Sequence, residues 1–337
     1  MRPYLPAFPR KVIMSVLPSH ETGPYEALQR GRRAVDRMAT ALAAGGGTMR
    51  EVTATQVLLA GASPRVLFEE FTSAEEAKNG ADWMWWWVDR DGTCFGLLAQ
   101  AKILKVRDSR WTVDFGYTTT GHSQSQITKL IAAAEPYSVP AVYILYCGNR
   151  KYRATLKCSR SHDGLLCRDR ERAGVSVACA LLAQNVLTHH QGAAGVEVFH
   201  DAAPVEDIAS PVEGLDEPVH TLVKELDEEL ARFLRQPQRG ARRVAKELLR
   251  PLARIRLGQF SRVATLEHAA PTAGALFRGV PADCGHFSVP YLDHVLRVLR
   301  TEVPGYVRDV MAGRNPPAGV TDRLGGIVVI TDADAFG

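Results

Sequence analysis

Residues 81–104 read ADWMWWWVDRDGTCFGLLAQAKIL, and this segment decides the fold. Its two apolar runs are rich in tryptophan and other strand-forming residues, and the Asp-Arg-Asp-Gly sequence between them, residues 89–92, is typical of a tight turn. The pattern predicts a β-hairpin. Because strand partners sit at equal distances from the turn, we expect Asp82 to pair with Gln100 to within about one residue.

The segments around the hairpin predict the rest of a core. Residues 48–61 have helical spacing with Thr48 as the N-cap, and residues 65–71 alternate as a strand. After the hairpin, residues 123–134 are spaced as a helix and residues 140–147 as a buried strand. The order helix, three strands, helix, strand predicts an α/β fold in which the last strand reaches the sheet through a helical crossover.

The sequence suggests three parts. Residues 1–47 are an N-terminal extension that ends in three glycines, a run suited to a linker or a helix end. Residues 48–150 contain the predicted core. Residues 151–337 form a mainly helical C-terminal extension that we expect to pack on the core or to guide substrate.

The C-terminal extension contains several predicted elements. Residues 175–187, 218–234 and 241–255 have helical spacing, and Pro251 should kink or end the last of these helices. Residues 326–331 are an apolar run typical of a strand.

Composition limits the class of protein. With 46% hydrophobic and 23% charged residues the chain can bury a substantial core, and its net charge of +4 does not by itself indicate nucleic-acid binding. The sequence has no apolar run long enough to cross a membrane, and residues 12–17 are too short for a signal-peptide core. We therefore expect a cytoplasmic protein, not associated with membranes, whose six cysteines are reduced.

The predicted hairpin carries the residues that could bind a metal ion or transfer a proton. Side chains alternate along a strand, so Gln100 and Lys102 project from the same face, opposite the position of Asp82. Carboxylate and amide oxygens suit Mg²⁺, and a neighbouring lysine can orient or deprotonate water or stabilise charge on a phosphate oxygen. This arrangement predicts phosphodiester hydrolysis that depends on one or two Mg²⁺ or Mn²⁺ ions.

The same residues resemble the PD-(D/E)xK nuclease superfamily, whose restriction-endonuclease-like core has this order of elements. Residues 76–86, EAKNGADWMWW, followed by QAK at residues 100–102, look like an uncharacterised bacterial family with an E…GADWxWW…QAK signature. Mrr-type restriction endonucleases also use a QxK form. The resemblance implies an endonuclease that cleaves DNA, in bacterial defence or restriction.

The resemblance also implies roles for individual residues. Asp82 would be the main metal ligand, Gln100 an auxiliary ligand, and Lys102 the catalytic base or phosphate partner. Glu76 would be a further acid, and Glu51 would reach the site from the first helix.

Two further residues belong to this set of candidates. Gln126, on the predicted second helix, matches the family and is a candidate site residue. Glu75 replaces Glu76 if the strand register slips by one residue.

Gln100 leaves the function open, because the superfamily usually has an acid at this position and a neutral amide binds a divalent ion less tightly. The alternative to an active endonuclease is an inactive nucleic-acid-binding module that keeps the nuclease fold. A structural or regulatory role in bacterial defence or nucleic-acid maintenance rests on analogy alone. The sequence does not decide whether the nucleic-acid partner is DNA or RNA. It also does not decide whether the protein is a homodimer or a monomer.

A basic helix face is the candidate for phosphate contact. Four basic side chains repeat at three- and four-residue spacing and line one face, and this pattern predicts contact with a nucleic-acid backbone. They are Arg243, Lys246, Arg250 and Arg254. The alternative is the solvated face of an amphipathic helix.

Two other residue sets receive structural interpretations. Alternation divides the four tryptophans at residues 83 and 85–87 between both faces of the sheet, so we expect core packing rather than base stacking. Zinc chemistry is available from Cys158, His162, Cys167 and Cys179, but their irregular spacing lacks paired C-x-x-C units and does not favour a zinc site.

Overall fold

The computed structural model describes residues 23–71, 82–116, 126–158, 162, 165–189, 195–209, 217–259, 268–269 and 273–331. Its strands, in chain order, are β1 (Val66–Glu70), β2 (Asp82–Val88), β3 (Cys94–Ile103), β4 (Lys105–Arg107), β5 (Arg110–Thr112), β6 (Ala141–Tyr146), β7 (Val175–Cys179), β8 (Ala203–Pro204), β9 (His268–Ala269), β10 (Val280–Pro281) and β11 (Gly326–Thr331).

The α-helices of the described ranges, in chain order, are α1 (Pro24–Ala44), α2 (Glu51–Ala62), α3 (Gln126–Ala134), α4 (Arg150–Thr155), α5 (Arg168–Arg172), α6 (Ala180–His189), α7 (Glu228–Arg235), α8 (Gly240–Gly258), α9 (Tyr291–Leu296), α10 (Gly305–Met311) and α11 (Ala318–Thr321). Short 3₁₀ turns connect several of them. The protein is therefore a mixed α/β fold, as the sequence predicts.

A seven-stranded sheet of order β1-β11-β2-β3-β6-β7-β8 forms the centre. The hairpin β2–β3 is antiparallel, and β6 joins β3 in parallel orientation after the helix α3, which is the expected crossover. The strand β11 lies between β1 and β2, antiparallel to the first and parallel to the second. The sheet thus contains strands from both the predicted core, residues 48–150, and the predicted C-terminal extension, residues 151–337.

The hairpin turn is built by short polar contacts. Asp91 Oδ1 accepts the backbone N–H of Thr93 at 2.9 Å, and this hydrogen bond is the main cause of the lowered pKa of the Asp91 carboxyl. Gly92 has a φ of +83°, which glycine adopts without strain. The carboxylate of Asp89 accepts the N–H of Ala241 at 3.0 and 3.1 Å, so the turn also holds the first residues of α8.

Tryptophan packing explains why the hairpin is central. Trp85 and Trp86 are almost fully buried, and Trp86 meets Tyr306 edge to face with ring centroids 6.1 Å apart. Gly96, the register partner of Trp86, makes room for the indole, since a Cβ there would lie 2.6 Å from its ring atoms. The expectation of core packing is confirmed.

Several predicted elements need correction. The first helix begins at Glu51 with Arg50 as N-cap, because residues 48–50 are not helical and Thr48 caps nothing. Residues 175–179 form a strand rather than the start of a helix, since their alternating β-branched residues pair with β6. Residues 217–227 are not helical, and the predicted helix is reduced to α7.

The N-terminal segment contains a helix that the sequence did not predict, its glycine run takes one of the two predicted forms, and the helix that includes Pro251 does not end there. Within residues 1–47 the structure contains the helix α1, which buries Leu28 and Val35, and Gly45 is its C-cap. The glycine run is thus the end of a helix. The helix α8 continues through Pro251 to Gly258 instead of ending at the proline.

None of the described helices is both long enough and apolar enough to cross a membrane. All six cysteines are free thiols, as expected from the sequence.

Candidate functional site

The strand β3 places Gln100 and Lys102 in the middle of the sheet. The backbone of Asp82 pairs with Gln100, so the predicted register is confirmed. On the other side of β3, Gln100 pairs with Tyr143 and Lys102 with Leu145. Only 5% of Gln100 and 8% of Lys102 is exposed, which makes them two polar side chains on the same face of an otherwise apolar strand.

The helix α3 completes this arrangement. Lys102 Nζ donates a hydrogen bond of 2.7 Å to Oε1 of Gln126, the first residue of α3. Ile127 and Leu130 of the same helix are buried in the core and fix its position on the sheet. The sequence-predicted candidates Lys102 and Gln126 therefore meet in space, although 24 positions separate them in the chain.

Gly116 lies directly behind Gln126 and was missed by the sequence reasoning. Its φ is +64°, its N–H donates to Asp114 Oδ1 at 2.9 Å, and a Cβ at this position would lie 2.8 Å from Gln126 Oε1. The Asp-x-Gly pattern at residues 114–116 signals such a turn, but not its proximity to Gln126. Gly116 thus helps to set the orientation of the amide.

The candidate acids are placed differently. Glu51 Oε1 lies 3.8 Å from Nζ of Lys105, the first residue of β4, and both side chains are partly exposed. One turn later in α2, the hydroxyl of Thr55 lies 3.0 Å from that of Tyr146, whose side chain is on the sheet face opposite to Lys102. Glu51 is therefore paired with Lys105 rather than with Lys102.

Three other expectations fall outside the described residues. Glu75 and Glu76 belong to an undescribed segment, and the side chain of Asp82 is likewise outside what the structure describes. The amide oxygens of Gln100 and Gln126 suit Mg²⁺ chemically, but they are not the carboxylate that usually anchors it. Mg²⁺ or Mn²⁺ binding stays a prediction.

The basic face on α8 is largely internal. Arg243 Nη2 and Arg250 Nη2 lie 2.9 and 3.2 Å from the same oxygen of Glu247. Lys246 is fully buried, and of the four predicted phosphate ligands Arg254 alone is exposed. Because the other three cations are used inside the protein, this face does not support a surface for a nucleic-acid backbone.

These features define a mixed α/β protein whose central hairpin carries the buried Gln100 and Lys102, with Lys102 held by Gln126 of α3. Residues 27–335 match a family described as a family of unknown function, DUF6615, and the chain belongs to this family. No curated protein and no solved structure matches the chain.

Proposed function

We propose that this protein is a metal-dependent nuclease of the PD-(D/E)xK type that hydrolyses phosphodiester bonds in DNA. The proposal is carried by one observation: the buried Lys102 is held by Gln126 at 2.7 Å on the strand where the backbone of Asp82 pairs with Gln100. This is the register at which the resemblance expects the catalytic residues to meet.

The contact between Lys102 and Gln126 fits a catalytic role. Burying an ammonium group costs free energy, so a lysine inside a sheet needs a specific function or a structural partner. An amide oxygen orients Nζ without neutralising its charge, whereas a carboxylate would neutralise it. A lysine held in this way can donate to a phosphate oxygen or act on an attacking water.

The metal ligands in this proposal are Asp82 and Gln100, with Glu76 as a further acid. A bound Mg²⁺ would polarise the phosphoryl group and lower the pKa of a coordinated water. The chain itself supplies the rest: Lys102 stabilises the developing negative charge, Gln126 holds Nζ in place, and the apolar neighbours of β3 limit access of bulk water.

The alternative is a nucleic-acid-binding module without catalysis. It is favoured by Gln100, which is 5% exposed and neutral where an acid would bind a divalent ion more tightly. Both functions need the same fold, so they differ only in whether a bound strand is cut.

The test is a cleavage assay with the purified full chain on plasmid DNA, single-stranded DNA and RNA, with Mg²⁺, Mn²⁺ or EDTA. Lys102→Ala should abolish metal-dependent cutting. The matched control is Lys129→Ala, which removes an exposed lysine from the same helix that carries Gln126. Equal cutting by Lys102→Ala and wild type would assign the activity to a contaminant.

A binding measurement separates the two functions. If no substrate is cut under any of these conditions but DNA or RNA is bound with a strong dependence on salt, the binding module is correct. If the protein neither cuts nor binds nucleic acid, both proposals fail.

A further inference from the structure

Three residues of metal-binding type, two cysteines and a histidine, come together in the loop between α4 and α5, away from the hairpin. The ligand atoms of Cys158, His162 and Cys167 all lie within 4.8 Å of one another, and the two sulfurs are 3.8 Å apart. In the described part of the chain, no other group of three or more Cys, His, Asp or Glu residues is gathered in this way.

The sulfur separation fits a shared metal ion. Two thiolates bound to tetrahedral zinc at about 2.3 Å each are about 3.8 Å apart. A disulfide requires a distance of about 2.05 Å, so the two cysteines are not cross-linked. The observed 3.8 Å between Cys158 Sγ and Cys167 Sγ is the separation expected for two corners of a zinc tetrahedron.

His162 supplies an independent indication of a ligand. Its Nε2 is shielded from solvent and has no hydrogen-bond partner within the residues that the structure describes. A buried ring nitrogen without a partner loses the interactions it would have in water. A metal ion bound between His162 and the two sulfurs would use this lone pair.

The backbone around the three residues is held in place by Arg170. Its Nε donates to the carbonyl of Leu156 at 2.7 Å and its Nη1 to the carbonyl of Leu165 at 2.9 Å. The N–H of Leu165 in turn donates to the carbonyl of His162 at 2.7 Å. One guanidinium therefore bridges the two sides of the loop that carries the three residues.

We propose that Cys158, His162 and Cys167 bind one Zn²⁺ ion that cross-links the loop between α4 and α5. Two thiolates and an imidazole nitrogen are the ligand set that zinc prefers, and Mg²⁺ selects oxygen donors instead. Each thiol releases its proton to solvent on binding, so the centre of two thiolates and one Zn²⁺ carries no net charge. The fourth coordination position is open to a water molecule.

Cys179, grouped with these residues by sequence, does not take part. It is buried at the end of β7, and burial raises the pKa of its thiol to about 12. Cys158, His162 and Cys167 follow a C-x₃-H-x₄-C spacing, which differs from common zinc motifs, and this is why the sequence did not favour the site.

The experiment measures zinc in the full chain, purified under reducing conditions and dialysed against metal-free buffer. Wild type should retain about one zinc ion per chain, and Cys158→Ser and Cys167→Ser should retain less than about a tenth of an ion. The matched control is Cys284→Ser, which removes another partly exposed thiol outside the cluster and should leave the zinc content unchanged.

Cobalt replacement tests the ligand set directly. Co²⁺ should give thiolate-to-metal charge-transfer bands in wild type, with reduced intensity in either cysteine variant. His162→Gln should keep those bands and shift the visible d–d bands. These spectra identify the ligands in wild type even if a serine variant fails to fold.

Three results would overturn the zinc site. They are a wild-type protein that binds neither Zn²⁺ nor Co²⁺, a zinc content that is the same in the cysteine variants, and a Cys158–Cys167 disulfide in place of metal. The site does not depend on the proposed nuclease function, because Lys102→Ala should retain its zinc whether or not the wild type cuts DNA.

Discussion

Two buried lysines show how similar charges can have different functions. Lys102 on β3 is 8% exposed and donates to the side-chain oxygen of Gln126 at 2.7 Å. Lys246 on α8 is fully buried and donates at the same distance to the backbone carbonyl of Gln236, which is the C-cap of α7. Burial and distance are alike, and the partners differ.

The partner indicates the role. A helix C-terminus has carbonyl groups without intrahelical partners and a negative dipole end, so the ammonium group of Lys246 stabilises the end of α7. The neutral side-chain oxygen of Gln126 does not require a positively charged partner in this way. The difference teaches that a buried lysine is a functional candidate when a side chain orients it, and a structural residue when it satisfies the backbone.

The largest expected effect is the loss of cleavage in Lys102→Ala. If Lys102 acts on the phosphate or on water, single-turnover cleavage should fall by about 100- to 10,000-fold, as is usual for a positioned acid or base. The free energy of unfolding should fall by about 2–4 kcal/mol, because alanine removes both the hydrogen bond and most of the buried apolar stem of the lysine. Urea denaturation and cleavage rates measured on the same preparation check both numbers, and a much larger loss of stability would make Lys102 structural.

Lys246→Met should lower stability without affecting cleavage. The variant keeps the apolar stem but removes the charge from the C-terminus of α7, so the free energy of unfolding should fall by about 2–3 kcal/mol. Zinc content and cleavage by the folded fraction should not change. The control Lys224→Met alters an exposed lysine, and denaturation midpoints that coincide for the two variants would remove the distinction.

A third buried group extends the comparison to pH. His294 Nε2 accepts the N–H of Ala141, at the start of β6, at 3.4 Å. Burial, with a smaller contribution from the nearby Arg297, lowers the pKa of His294 to about 4. At pH values between about 4 and 6.5 this histidine is protonated in the unfolded chain but neutral in the folded chain. The free energy of unfolding therefore decreases as pH falls from about 6.5 towards 4.

The loss from His294 should be about 2 kcal/mol between pH 7.5 and pH 5. Urea denaturation at both pH values measures it. His294→Gln should flatten the pH dependence, whereas His286→Gln, at an exposed histidine, should keep it. An unchanged slope in His294→Gln would mean that another group controls acid stability.

The smallest predicted effect concerns the glycine behind Gln126. Gly116→Ala should displace the amide oxygen that orients Lys102 and slow cleavage about tenfold, which corresponds to about 1.4 kcal/mol. The matched control is Gly313→Ala, because Gly313 has the same φ of +64° but a Cβ added there would meet no atom within 4 Å. Equal rates for the two variants would show that Gly116 does not position Gln126.

Local sequence patterns were sufficient to predict the hairpin, whereas the burial of the basic residues on α8 depends on long-range packing. The Asp82–Gln100 register followed from the turn and from alternation, which depend on neighbouring residues only. The buried side of α8 could not be read from its sequence, because the helix packs on β2, β3 and α9, which are distant in the chain. Glu247, which pairs with Arg243, is visible in the sequence and was the available signal.

The site shows the same limit. Gln126 is a candidate site residue from the family resemblance, but its contact with Lys102 is visible only in the structure. The grouping of Cys158 with Cys167 depends on the path of a loop held by Arg170, which no spacing rule describes. The acids of the site, apart from Glu51, lie outside the described residues and stay predictions.

The position of β11 has a consequence for synthesis. The strand β11 lies between β1 and β2. The hairpin with Gln100 and Lys102 therefore acquires the strand that pairs with β2 only after residue 331 has left the ribosome. Until then the edge of β2, with its tryptophans, would be unpaired and prone to aggregation. The central sheet is therefore completed only after residue 331 has been translated, and a fragment that stops at residue 150 should not be a soluble substitute for residues 1–337.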